Sequence, residues 1–145
     1  MIKENKISAG SFQKIDDVFD FLEKNNQINA GYLFGSLATN NKKPLSDIDI
    51  AVYIDNSIHK KDYLDILLDL SNDISKILQT DEFDLVILNN ASLRFAYNII
   101  STGKLIFVKN MNPLIDFTEE IVNRYLDFKF YQEEFNSVFI DKLKS

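Results

Sequence analysis

Cysteine and tryptophan are both missing from this chain of 145 residues, which holds one histidine, two prolines and four glycines. Without cysteine there is no disulfide framework and no thiolate zinc site, and one imidazole, His59, cannot build a histidine-rich metal centre. Any metal chemistry here is oxygen chemistry. Long hydrophobic runs are absent too. No stretch approaches the roughly 18 consecutive apolar residues of a membrane span, and Met1-Ile2-Lys3-Glu4-Asn5-Lys6 leads into polar sequence rather than a signal-peptide core. The expectation is a cytoplasmic protein with no membrane association. Positive charge is in short supply as well: 16 Lys and Arg face 22 Asp and Glu, a net charge of −6. Such a balance repels nucleic-acid phosphates, so no direct nucleic-acid binding is expected. A single nucleotide can still be held through a cation.

What is present suits one globular domain over residues 1–145, with 46% hydrophobic residues and no repeat, low-complexity tract or linker. Asp16 to Asn26 reads as a short amphipathic helix, with Val18, Phe19, Phe21 and Leu22 among acids and amides. Ile28 to Phe34 turns strand-like, with Ile28, Ala30, Tyr32 and Phe34 on one side of an alternation that stops at Gly35-Ser36. A polar loop, Thr39 to Pro44, leads to a second alternating segment, Asp47 to Ile54. His59 to Gln79 predicts a helix whose apolar stripe is Tyr63, Leu67, Leu70, Ile74 and Ile77. Phe83 to Leu88 reads as a buried strand. Ser92 to Ser101 reads as a helix with Ser92 as its cap and Gly103 beyond its end. Leu105 to Val108 would be a fourth strand, and Asn112-Pro113 would open a long last helix. Strands separated by helices predict an α/β fold with a mixed sheet of about four strands.

The residues with chemistry sit at the ends of these strands. In extended chain, residues i and i+2 face the same way, so Asp47 and Asp49 project together while Ile48 and Ile50 enter a core on the other face. Magnesium suits such a pair, because it takes few carboxylates and completes its shell with water and substrate phosphates. Asp84 lies among Phe83, Leu85, Val86 and Ile87. A lone buried carboxylate costs several kcal/mol, and placement beside the other two aspartates would relieve that cost. Gly35 permits close approach of a phosphate to the backbone, and the amide and hydroxyl of Ser36 can donate to its oxygens. Each feature alone is common: Gly-Ser is an ordinary turn, and acids are abundant here. The combination points to an enzyme of phosphoryl or nucleotidyl transfer, which needs chiefly positioning and charge neutralisation.

Gly35-Ser36, a ten-residue spacer and Asp47-Ile48-Asp49, within Ala30 to Ala38 and Leu45 to Val52, resemble the signature of the minimal nucleotidyltransferases of the polymerase-beta superfamily. The similarity continues through Phe83 to Asn89, Gly103 to Phe107 and Arg124 to Lys129, and so covers nearly the whole chain. Short length and tail resemble the antitoxin adenylyltransferases encoded beside HEPN-domain ribonuclease toxins. The resemblance implies a polymerase-beta-like nucleotidyltransferase fold, transfer of AMP from ATP to a tyrosine hydroxyl of the toxin, a hetero-oligomeric complex with it, and magnesium, two ions in number. It implies that Asp47, Asp49 and Asp84 hold the metals, that Asp84 helps remove the hydroxyl proton, and that Gly35 and Ser36 hold the departing pyrophosphate. One departure stands out. Family members usually carry Arg-Gly after the alanine of the turn, where this chain has Thr39-Asn40; Lys42 and Lys43 are the basic side chains of the same loop that could substitute.

The last helix carries Ile121, Tyr125, Phe128, Tyr131, Phe135 and Val138 or Phe139 at three-to-four spacing. Most of that stripe is expected to pack on the sheet, although its aromatics exceed what one stripe needs and some are expected to touch another chain. Two rival functions compete with protein adenylylation. A drug-modifying nucleotidyltransferase would need an acceptor pocket for which 145 residues leave little room, and a purely steric antitoxin would bind without chemistry.

Overall fold

The computed structural model describes residues 13–35 and 48–144. Its elements, in chain order, are α1 (Gln13–Lys24), β1 (Ile28–Phe34), β2 (Ile48–Ile54), α2 (Tyr63–Leu78), β3 (Phe83–Ile87), α3 (Leu93–Thr102), β4 (Lys104–Val108) and α4 (Met111–Lys144), with 3-10 turns at Lys60–Asp62 and Leu88–Asn90. Four strands form one sheet in the order β3-β2-β1-β4. β1 pairs antiparallel with both β2 and β4, whereas β2 and β3 run parallel. A parallel pair needs a crossover, and α2 supplies it. The fold is therefore an α/β mixed sheet flanked by helices and followed by a long C-terminal helix, as its sequence predicts.

Helices cover both sides of the sheet. On one side Val18, Phe19 and Leu22 of α1 and Ile66, Leu70, Ile74 and Leu78 of α2 pack with Ile48, Ile50, Val52 and Ile54 of β2. On the other, Ala96 and Ile99 of α3 and Leu114 and Ile121 of α4 pack with Ala30, Tyr32, Phe34, Ala51 and Tyr53. The buried stripe of α2 keeps Leu70 and Ile74 of the expected set and is completed by Ile66 and Leu78, leaving Tyr63, Leu67 and Ile77 only partly covered. Burying each aliphatic side chain is worth roughly 1.5–3 kcal/mol. That outweighs the few tenths lost to the β-branched Ile66 and Ile74 as helix residues.

Three local departures from sequence expectation have identifiable causes. First, α2 begins at Tyr63 rather than His59, because the His59 ring nitrogen Nδ1 accepts the Lys61 amide at 3.2 Å and holds a 3-10 turn ahead of the helix. Second, Ile28 does not share a face with Ala30, Tyr32 and Phe34. Opposite the adjacent Ile54 and Tyr53, β1 places Ile28 and Ala30, with Asn29 as an extra residue between them, so a bulge turns Ile28 into the α1/α2 layer. Asn29 is buried with both ends of its side-chain amide engaged: its Nδ2 donates to the Asn110 carbonyl at 2.9 Å and its Oδ1 accepts the Asn110 amide at 2.8 Å. Third, only the inner half of α4 packs. Ile121 is buried and Tyr125 half-buried, but Phe128, Tyr131, Phe135, Val138 and Phe139 are exposed, so the expectation that most of the stripe packs on the sheet fails beyond Tyr125.

Candidate active site

The end of β1 and the starts of β2 and β3 meet at one edge of the molecule, and this is where the acidic residues gather. Phe34 is paired with Asp49 across β1 and β2, and Asp49 is paired with Asp84 across β2 and β3. Paired positions on neighbouring strands lie about 4.8 Å apart and put their side chains on the same face. Ile48 and Ile50 on either side of Asp49, and Phe83 and Leu85 on either side of Asp84, all join the α1/α2 core. Both carboxylates therefore sit on the α3 face of the sheet, with Asp49 partly buried and Asp84 exposed.

The exposure of Asp84 revises one step of the sequence argument. β3 is an edge strand, and its pattern is part-buried rather than buried. Asp84 thus needs no partner to offset desolvation; what brings it to Asp49 is strand register. Two carboxylates held in register present oxygens that suit a hard cation. Among the described residues no group of three metal-ligating side chains comes together. Asp47, Ser36, Lys42 and Lys43 lie outside the described residues, so the third carboxylate and the phosphate-gripping half of the site are not placed.

Gly35 has a function that a phosphate-binding reading alone does not reveal. Its φ is +75°, and a Cβ there would lie 2.1 Å from Oδ2 of Asp49. A side chain there would be strained by the left-handed backbone and would require the Asp49 carboxylate to swing aside. The turn after β1 is shaped around the Asp49 carboxylate.

On the same face, α3 builds the wall of the site. Ser92 caps it, its Oγ accepting the Phe95 amide at 3.3 Å. Phe95 meets Phe34 edge-on at 5.8 Å between ring centroids. Beyond Phe95 a cleft of about 460 Å³ is lined by Arg94, Asn98, Ser101 and the Tyr97 and Tyr125 rings, which stack at 3.9 Å. Sequence reading passed over Arg94 and Phe95. The available signal was a cation in the first turn of a helix, where the macrodipole disfavours it.

Shifted acid–base groups lie elsewhere. Burial pushes the Tyr32 phenol up, so it stays protonated inside the sheet. Asp55, at the far end of β2, is held below the ordinary carboxylate range by the Ser57 hydroxyl and amide. It lies six residues along from Asp49, roughly 20 Å at the strand rise, and takes no part in the cluster.

A family model described as polymerase beta nucleotidyltransferase matches residues 16–112, a span containing both carboxylates and Gly35. No curated protein sequence matches the chain. Among solved structures, the fold resembles a chain of a toxin–antitoxin with AMP-PNP, at TM-score 0.63 and 22% identity over 92% of this chain and 98% of that one. It also resembles a chain of the tri-AMPylated Shewanella oneidensis HEPN toxin in complex with MNT antitoxin, at TM-score 0.63 and 20% identity over 94% and 100% of the two chains. A chain of the toxin–antitoxin MntA-HepT aligns at TM-score 0.60 and 21% identity, covering 92% of this chain and 98% of that one. With the matched span enclosing the glycine turn and the paired strands, this chain belongs to the polymerase beta nucleotidyltransferase family.

Proposed function

We propose that this chain is the antitoxin of a toxin–antitoxin pair and that it transfers AMP from ATP to a tyrosine hydroxyl of a HEPN-domain ribonuclease toxin. The observation that carries the reading is the register of Asp49 against Asp84 beside a glycine shaped around the Asp49 carboxylate. Support for the partner comes from the similar structures, which include a toxin–antitoxin with AMP-PNP and a tri-AMPylated HEPN toxin with its MNT antitoxin. The exposed apolar outer half of α4 offers a surface for such a complex.

In this mechanism the tyrosine oxygen forms a bond to the α-phosphorus of ATP, the bond from that phosphorus to the bridging oxygen breaks, and pyrophosphate leaves. Asp84, solvent-facing and next to Asp49, accepts the hydroxyl proton. Gly35 and Ser36 hold the departing pyrophosphate, and Lys42 and Lys43 offset its charge. Asp47, Asp49 and Asp84 are the residues that would hold magnesium, which supplies charge neutralisation at the phosphates when bound.

Labelled ATP tests the assignment. Asp84→Asn should lower AMP transfer at least about 100-fold, the lower end of what a positioned general base contributes, and Asp47→Asn with Asp49→Asn should abolish it. Gly35→Ala should be comparably inactive, because its methyl displaces the Asp49 carboxylate. Label retained in the Asp47/Asp49 double variant would refute the chemistry. The steric-antitoxin alternative rests on the exposed half of α4, and intact mass separates the two. An AMP increment on the toxin after incubation with ATP and magnesium supports transfer; neutralisation with no mass change supports binding alone.

A further inference from the structure

β3 stands at the edge of the sheet, and among the described residues no strand pairs with its outer side. Natural edge strands are blunted by short length, charge, proline or a bulge. The segment Phe83-Asp84-Leu85-Val86-Ile87 has no lysine, proline or bulge; it is five residues long and its one charge is Asp84 itself. Two open clefts tile this edge from end to end and share Leu85. One, of about 360 Å³, is lined by Asn72, Ser75, Asp81 and Asp84; the other, of about 320 Å³, by Leu64, Leu67, Val86 and Phe95. Together they make a trough about 16 Å long at the strand rise, walled along its length by α2 and, over its Val86 half, by Phe95 of α3.

We propose that this trough is the acceptor site: an extended segment of the protein substrate adds to β3 as a fifth strand and lays its hydroxyl residue beside Asp84. The proposal rests on the nucleotidyl-transfer reading above and extends it to how the acceptor is recognised. Unpaired backbone amides and carbonyls are matched by another main chain, the mode by which extended peptides join sheet edges. Register then does the positioning. A residue directly opposite Asp84 shares its face of the sheet, which is the face bearing Asp49, so its hydroxyl arrives at the carboxylate pair. The next residue on that face lies opposite Val86 and meets Phe95, while alternate residues turn toward α2, where Leu64 is 64% exposed. Asp81 and Asp84 are the acids lining the trough, with no basic side chain beside them among the described lining residues, so the segment should carry lysine or arginine at its flanks. Continuity with the carboxylate pair favours a substrate segment over a second copy of this chain, whose own Asp84 would meet like charge.

The probe is an acetylated, amidated Arg-Val-Tyr-Val-Arg peptide, with a twin N-methylated at alternate residues to remove the edge-facing donors. Given ATP and magnesium, the parent peptide should gain AMP and slow amide exchange across residues 83–87, and the N-methylated twin should do neither. Leu64→Asp, at a solvent-exposed position, should raise KM for the peptide by about tenfold, the scale of one lost apolar contact, with kcat unchanged. AMP transfer to both peptides alike, without protection of residues 83–87, would overturn the edge site and leave nucleotidyl transfer intact. Protection of those amides with no AMP gained would sink the transfer reading and leave the edge site standing. Failure of millimolar peptide to protect them, or concentration-dependent protection in the chain alone that marks an edge-to-edge dimer, would overturn the proposal.

Discussion

The two halves of α4 have the same kind of sequence and opposite fates. In its inner half Leu114 and Ile121 are buried, Phe117 packs against Tyr53 and Tyr125 stacks on Tyr97. In its outer half Phe128, Tyr131, Phe135 and Phe139 continue the spacing, yet Phe135 is 67% exposed and Tyr131 72%. The sheet ends before the helix does. Residues 126–144 run on for about 28 Å at the helical rise, and their rings meet chiefly one another, as Phe135 does with Phe139. Apolar periodicity therefore reports that a helix has a face to cover and does not report what covers it. The inner half answers to this domain's stability, and the outer half is left uncovered by it.

Substitutions can break or sharpen that contrast. The largest effect belongs to Ile121→Ala, which empties a site in the α3/α4 core and should cost about 2–5 kcal/mol, a fall in Tm of roughly 6–15 °C by thermal unfolding. Tyr125→Ala should cost less, about 1–2 kcal/mol, since it removes a stacked but half-covered ring. Phe135→Ala should change the stability of the isolated chain by no more than about 0.5 kcal/mol, while weakening capture of the proposed toxin partner in a pull-down. A Phe135→Ala loss as large as that of Ile121→Ala would show that the outer half is packed in the chain alone, and the contrast would collapse.

How much was legible in the sequence follows from the range of each signal. The end of β1 at Phe34 is where its sequence puts it, because Gly35 ends the strand sharply. The start of α3 is marked by the Ser92 cap, and the Ile48/Ile50 side of β2 enters the core as period two requires. These are local signals carried by neighbouring residues. What escaped was long-range. That Phe83 to Ile87 would stand at an edge, leaving Asp84 in solvent, depends on strand order, and no property of five residues encodes that. The trough along β3 was likewise invisible, because it is made by the distance between α2 and α3. Asp49 against Asp84 was reachable only through the pattern as a whole, since spacing along the chain says nothing of register between strands.

The bulge at Asn29 has a consequence for how the protein tolerates change. By inserting one residue beneath the pairing, β1 is anchored in one helical layer by Ile28 and in the other by Phe34, and the Asn110 bonds pin the point where it crosses over. Excising Asn29 would leave Ile28 opposite Ile54 and Ala30 opposite Tyr53, so both anchors would keep their faces, and the loss would fall on the two bonds to Asn110. A one-codon deletion here should therefore loosen the junction between β1 and the start of α4, where Asn29 holds Asn110, and leave the Asp49 end of the sheet in register.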